Sequence, residues 1–452
     1  MHALSKTNLA MRFAVILCMA SSINSYAETY YVAATGNDSN SGTSENAPLR
    51  TIQKAVDLVK AGDLVLVKSG TYPGFFIRNK NGNENAWIVF KPYPGHRVIL
   101  DPYVDLYKTA VGRGVLIYGS RYIEINGFEI TDSNPARSEE SREGIKTEDL
   151  SDGTPQSYIR ILNNNIHHVG GSGIYTSYNS HHNEIIDNYI HHVGTVDFDH
   201  GMYLGGDDHV VRGNLVHEAS GWGIHVYSSG GPTPDRNLVE NNISYGNGGP
   251  GRVGLTGKHR GDGIIVIGGG VNNVIRNNIC YKNAEWGIRT DSKNAIVVNN
   301  TVYQNGHQGI YVYDGVGAMI RNNISYGNRG ENGYPGDFYI GTGNSQDHNL
   351  FSIDPKFVDA ANGNFRLQVD SPAIDAGIAF PGFNTDIDST VRPQIGGWDI
   401  GAHEFVVLSY RASPRPTITS ADEAGTSAPM NSDANGRPKR RTLFRFKTLK
   451  QV

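Results

Sequence analysis

The feature that most constrains this chain is a short motif, Asn-x-(Ile/Val), that returns through its middle. It occurs as Asn164-Asn165-Ile166, Asn188-Tyr189-Ile190, Asn214-Leu215-Val216, Asn241-Asn242-Ile243, Asn277-Asn278-Ile279, Asn300-Thr301-Val302 and Asn322-Asn323-Ile324. The first asparagines are 24, 26, 27, 36, 23 and 22 residues apart. A period in the range of about 20–50 residues marks stacked supersecondary units. A leucine-rich framework is absent, and so is the 3.6-residue periodicity that helical repeats need. Segments such as Asn183-Glu184-Ile185-Ile186 and His209-Val210-Val211-Arg212 are short, β-branched and bounded by Gly and Asn, which reads as strand. Three short strands and three turns fill a coil of this length. The expected fold is therefore all-β, a right-handed parallel β-helix.

Asparagine suits the bends of such a coil, because it tolerates left-handed backbone and its amide bonds nearby main chain. Stacked from coil to coil, these asparagines should form an amide ladder with a structural role. A second mark, Gly followed by an apolar residue, recurs at Gly144, Gly173, Gly201, Gly223, Gly263, Gly287 and Gly309. The step from asparagine to this Gly is 9 residues from 164, 214 and 300, but 13 from 188 and 22 from 241. Both insertions, at 195–199 and 246–261, fall between the same two strands. They should emerge side by side on one face, often the binding face of a solenoid.

The remaining regions divide naturally. Lys6 and Arg12 precede an apolar run over 13–20, and Ser25-Tyr26-Ala27 offers a small-x-small cleavage site, so 1–27 reads as a secretion signal. The run is too short to span a bilayer. Secreted or periplasmic residence follows. Residues 28–135 read as an N-terminal cap with a helix over 49–60, followed by the first coils. Coils continue over 136–330, and 331–405 reads as last coils and an irregular C-terminal cap. A basic tail rich in Ser, Thr and Pro fills 406–452 and is expected to be disordered. With Cys18 removed, Cys280 is a lone thiol and reads as a buried small hydrophobe. The net charge of −4 lacks the clustered basic face of a nucleic-acid binder.

The stretch Tyr30-Tyr31-Val32-Ala33 through Gly36-Asn37-Asp38 to Gly42-Thr43 resembles the opening of many secreted β-helix proteins. So do Pro48-Leu49-Arg50-Thr51-Ile52-Gln53-Lys54-Ala55, Gly62-Asp63, Gly70-Thr71-Tyr72 and Lys91-Pro92-Tyr93-Pro94-Gly95. Ser371-Pro372-Ala373-Ile374-Asp375-Ala376-Gly377 and Asp399-Ile400-Gly401-Ala402-His403-Glu404-Phe405 are similar to its ending. Over 28–405 the chain resembles the pectin-lyase-like superfamily, which includes chondroitinase B-like and alginate lyases and mannuronan C5-epimerases. The resemblance implies action on an extracellular, acidic polysaccharide. The Asp-Pro-His-Asp signature of the epimerases is absent, the nearest string being Asp197-Phe198-Asp199-His200. The paired aspartates and Arg-x-Lys of polygalacturonases are not evident, and Lys146 and Arg289 lie five coils apart rather than one.

Aligning the coils on the Gly mark gives a candidate groove. The outward position after the apolar residue reads Lys146, Tyr175, Tyr203, His225, Ile265, Arg289 and Tyr311. The position before Gly reads Glu143, Ser172, His200, Trp222, Asp262, Trp286 and Gln308. Coils stack roughly 4.8 Å apart, so Tyr203 and His225 can meet one sugar unit. A uronate loses its C5 proton to a base while a cation steadies the carboxylate. His200 or His225 is the candidate base, Tyr203 the acid, and Arg289 or Arg260 the carboxylate partner, with Asp262 among the catalytic candidates. Lys146, Tyr175 and Tyr311 are candidate sugar contacts, as are Trp222 and Trp286 through ring stacking. The second insertion adds Arg252, Lys258 and His259. Asp197 and Asp199 are candidate oxygen ligands for Ca²⁺, although no stretch has dedicated calcium-loop spacing. The pairs His167-His168 and His191-His192 recur at matching positions and read as ordinary turn residues, with metal binding the weaker alternative.

These readings favour an enzyme, a polysaccharide lyase acting by β-elimination as a monomer. A C5-epimerase, a hydrolase using Asp199 and Asp262, and a non-catalytic glycan binder are the competing functions.

Overall fold

A computed structural model describes residues 27–103, 112–134, 142–150, 156–228, 231–248, 260–330, 333 and 335–407. Residues 1–26 of the expected signal segment 1–27, the tail from 408, and Arg252, Lys258 and His259 lie outside the described residues. Three parallel sheets of 12, 11 and 10 strands run the length of the described coils. One coil visits each sheet in turn, for example Ser157–Leu162, then Asn165–His167, then Ile174–Thr176, before Glu184–Ile186 begins the next. Each strand pairs in parallel with its equivalent one coil on. This is a parallel β-helix, as the repeat requires.

The alternation of each strand puts one apolar residue inward per coil. Ile145, Ile174, Met202, Ile224, Ile264, Ile288 and Ile310 form one stack, and Ile161, Ile185, Val211, Val239, Ile275, Val297 and Ile320 another. All of them belong to a single buried core. Cys280 is buried in the third stack between Ser244 and Val302, as expected for an inert small hydrophobe. The Gly column has a steric cause. A Cβ on Gly173, Gly201, Gly223, Gly263 or Gly287 would sit 2.6–2.7 Å from the carbonyl oxygen of the glycine one coil further on.

The amide ladder forms, but in a register that differs from the motif at three coils. It runs Asn164, Asn188, Asn214, Asn242, Asn278, Asn300, Asn323 and Asn349. The Oδ1 of each accepts from the main-chain N–H and Nδ2 of the preceding one at 2.9–3.0 Å. Asn241, Asn277 and Asn322 are instead the left-handed turn residues one position earlier, with φ of 57°, 53° and 53°. Two further columns were not read from the sequence: Asn247–Asn283–Asn305–Asn328, and Asn183–His209–Asn237–Asn273.

The N-terminal helix is shorter than 49–60, spanning Ile52–Leu58. Thr51 caps it by accepting from the Lys54 N–H at 3.1 Å, and Val59 is already extended. Ile52, Ala55 and Val56 join the main core. Residues 355–405 form a separate core around Phe365, Leu367 and Ile400. It packs on Ile279, Tyr281, Tyr303 and Ile324 along the outer face of the 11-stranded sheet. The side chains of Asn277, Asn299 and Asn322 donate to main-chain carbonyls of this segment. Among the described residues no helix is long and apolar enough to cross a membrane.

Candidate active site

The 10-stranded sheet presents an outward column in the expected order: Lys146, Tyr175, Tyr203, His225, Ile265, Arg289, Tyr311, and then Tyr339. Both insertions leave the chain between the 11- and 10-stranded sheets, after Tyr189–His191 and Ile243–Tyr245. Their described parts meet. The Arg260 guanidinium lies 4.2 Å from the Phe198 ring centre and 5.4 Å from that of Trp222, with Nε 3.9 Å from an Asp197 oxygen.

At the centre an aromatic cluster encloses two histidines. His200 stacks on Trp222 at 4.8 Å and on His225 at 5.1 Å, while Tyr203 stands edge-on to both. Tyr227 covers the other face of His225 at 5.1 Å. His200 Nε2 and His225 Nδ1 are 3.0 Å apart. His200 is also bonded to the Phe198 carbonyl. In the tautomer in which His200 Nδ1–H donates to that carbonyl, Nε2 accepts from His225 Nδ1–H and His225 Nε2 keeps a lone pair. His225 Nε2 is buried and without a hydrogen-bond partner, and so is Trp222 Nε1 beside it.

Burial holds both imidazoles neutral. It pushes His200 down to about 3, with the Phe198 bond opposing and Arg260 reinforcing the shift. His225 is held well below the ordinary range by burial, then by His200 and Arg289. Tyr203 is pushed up, mainly by burial and by its bond to the Tyr178 hydroxyl at 3.2 Å, so it stays a proton donor. Arg289 lies 4.3 Å over the Trp286 ring with Nε 2.9 Å from Asp262 Oδ2. Burial pushes the Asp262 carboxyl up, Arg289 pulls it back, and neighbouring Glu285 adds to the rise.

Residues 30–334 match the family described as Pel9A-like, right-handed β-helix region. The chain belongs to this family. It is 28% identical over 345 residues to the uncharacterized protein YwoF of Bacillus subtilis, covering 69% of this chain and 71% of that one. It is 26% identical to pectate lyase PEL9 of Emericella nidulans (73% and 85% covered) and 25% identical to pectate lyase L of Dickeya dadantii (66% and 70%). Among solved structures, pectate lyase Pel9A superposes with a TM-score of 0.64 at 21% identity, covering 84% of this chain and 97% of that one. A rhamnogalacturonan lyase gives 0.55 at 18% identity (73% and 90%). These two confirm the fold.

Several sequence-predicted residues occupy different surroundings from those expected. His200 and His225 were expected to face solvent; they are only 4% and 6% exposed, because aromatic rings roof them. Trp222 is buried as part of that roof rather than presented to a sugar. Asp262 is wholly buried, with Oδ2 against the Arg289 guanidinium. Lys146 pairs with Glu148 at 2.7 Å and Glu143 at 3.5 Å, away from the cluster. Tyr175 stacks on Tyr203, Tyr311 on Tyr339, and Trp286 Nε1 donates to Gln308, all along one groove. Asp197 and Asp199 already have protein partners. Asp199 Oδ2 accepts the Thr195 and Val196 amides of its own loop, and Asp197 is buried toward Arg260. Among the described residues neither belongs to a metal-ligating group of three.

The sequence reading missed Tyr178, Tyr227 and Glu285. Tyr227 was within reach of it, lying two residues after His225 and so on the same strand face.

Proposed function

We propose that this protein is a polysaccharide lyase that cleaves a uronic-acid polymer by β-elimination. The observation that carries the reading is the 3.0 Å contact between His200 Nε2 and His225 Nδ1 beside a buried, unpartnered Nε2 of His225; with the Phe198 carbonyl accepting from His200, that Nε2 holds a lone pair. That lone pair takes the C5 proton. Electrons from the C5–H bond form the C4–C5 double bond as the C4–O4 bond breaks, and Tyr203 protonates O4. The Arg289 guanidinium, two coils along and close enough to depress His225, pairs with the uronate carboxylate. Substrate displaces one ring of the roof to reach Nε2, and half-buried Tyr203 and Tyr227 border the groove. The names of the relatives, pectate lyase PEL9 and pectate lyase L, favour a polygalacturonate-like polymer. Such a polymer lies outside the cell, in keeping with the signal-like segment 1–27. No step is routed through calcium. Hydrolysis by Asp199 and Asp262 is disfavoured, since one carboxylate caps a loop and the other is sealed behind Arg289.

Purified protein incubated with polygalacturonate, alginate, glycosaminoglycans and bacterial exopolysaccharides should release unsaturated, ultraviolet-absorbing products from one of them. His225→Ala should reduce that rate by about two orders of magnitude or more, the scale of lost acid–base catalysis. New reducing ends without absorbance would replace the proposal with hydrolysis. Altered uronate composition without new ends would replace it with epimerisation.

A further inference from the structure

A second array of histidines stands on the 11-stranded sheet, outside the groove. His167, His191 and His217 occupy one register position in consecutive strands and stack at 5.1 and 5.3 Å, and Tyr245 and Tyr281 continue the column. The residue after each is His168, His192 or Glu218, all with left-handed φ of 53–54°. Histidine is unusual there, and two other coils place Gly246 and Gly327 at this position.

In the coils of His192 and His217, three ligating atoms converge. His192 Nε2 lies 3.0 Å and His217 Nδ1 2.9 Å from Glu218 Oε2, and the ligating atoms of all three side chains lie within 4.8 Å of one another. Tetrahedral zinc with bonds of about 2.0–2.1 Å separates its ligands by about 3.3 Å, so each nitrogen–carboxylate distance need open by only a few tenths of an ångström to admit the ion, with the two nitrogens within 4.8 Å of each other. The far nitrogens are already held. His217 Nε2 faces the Tyr189 hydroxyl at 3.1 Å, and His192 Nδ1 faces His191 Nδ1 at 2.9 Å. An outer partner on each imidazole is the arrangement that orients histidine ligands and fixes their tautomers.

We propose that His192, His217 and Glu218 form a binding site for a divalent first-row transition metal of the zinc type, with an open fourth position. The side chains of His192 and Glu218 are 38% and 49% exposed, so the ion has access from solvent. The metal clips the coil that leads into the first insertion to the coil that leads to Trp222. This is a structural site, distinct from the catalytic cluster.

Untagged full-length protein, freed of metal by chelator, is dialysed against Zn²⁺ alone and bound metal is counted; melting is followed in parallel. The expected result is one Zn²⁺ per chain with micromolar or tighter affinity and a raised melting temperature. His192→Ala and Glu218→Gln, both at exposed side chains, should each weaken binding at least tenfold and abolish the thermal shift, while His168→Ala leaves both unchanged. Wild-type protein that binds no Zn²⁺ at micromolar concentration overturns the proposal. So does undiminished binding in His192→Ala and Glu218→Gln, which would place the ion elsewhere on the histidine array.

Discussion

Replacing Asn242 by alanine should cost a large part of the stability of this fold. Asn242 is wholly buried. Its Oδ1 accepts from the main-chain N–H and the Nδ2 of Asn214, both at 3.0 Å. Its Nδ2 donates to the Val211 carbonyl at 2.9 Å and to Asn278 Oδ1 at 3.0 Å. Alanine leaves two buried donors on Asn214 without partners. The second Nδ2 hydrogen of Asn214 keeps its bond to the Ile185 carbonyl, and Asn278 Oδ1 keeps the Asn242 N–H. An orphaned buried donor costs about 1–3 kcal/mol, so the two together should cost about 2–6 kcal/mol, against a total of about 5–15 kcal/mol for a typical protein. Equilibrium urea denaturation followed by circular dichroism measures it. Asn241→Gly is the control, because Asn241 is a left-handed turn residue outside the ladder, with φ of 57°, which glycine adopts freely; it should change stability by less than about 1 kcal/mol. An Asn242→Ala loss below about 1 kcal/mol, or equal losses at both positions, would refute the ladder as a source of stability.

Acid should weaken the fold through His209. Its Nε2 lies 2.7 Å from the Gly205 carbonyl and its Nδ1 accepts the Asn183 N–H; burial pushes it down to about 4, with the Gly205 bond opposing. The folded value lies below the unfolded one of about 6.5, so the contribution is intact above that pH and is lost as pH falls toward 4. At pH 5 the loss is about 2 kcal/mol, and denaturation midpoints should show His209→Asn to be less acid-sensitive than wild type. His200→Phe should lower turnover about 10–100-fold, whereas His200→Gln, whose carbonyl can accept from His225 Nδ1–H, should recover part of it; equal rates in the two would show that the His200–His225 contact does not position the base. Arg289→Gln should raise KM on the cleaved polymer about tenfold or more with a smaller change in kcat, measured by initial rates over a range of substrate concentration.

The fold was legible because a solenoid writes its geometry once per coil. The period set by the ladder asparagines, the inward Ile/Val residues and the two insertions at one turn all appeared as sequence spacings, and they fell on strands and turns in the expected order. The ladder register was not legible at the Asn-Asn pairs. Either residue satisfies the motif, and only the backbone decides that Asn241 takes the left-handed turn while Asn242 faces inward. The outward column of the groove was legible from side-chain alternation. Its burial was not, because the roof over His225 comes from Tyr203 in the neighbouring strand, from Trp222 just before its own strand and from Tyr227, and alternation reports direction but not cover.

That cover decides between chemistries. An exposed histidine would keep an ordinary affinity for protons and would be charged through much of the mildly acidic range, where a base must be bare. Burial holds the roofed pair neutral there. The carboxylates nearby are used differently: Asp199 is bound to its own loop and Asp262 is held against Arg289. On the proposed reading, a bare imidazole nitrogen, a phenol held protonated and a guanidinium two coils away would move a proton from carbon beside a carboxylate. Asp199 and Asp262, the carboxylates that hydrolysis would use, are both already engaged.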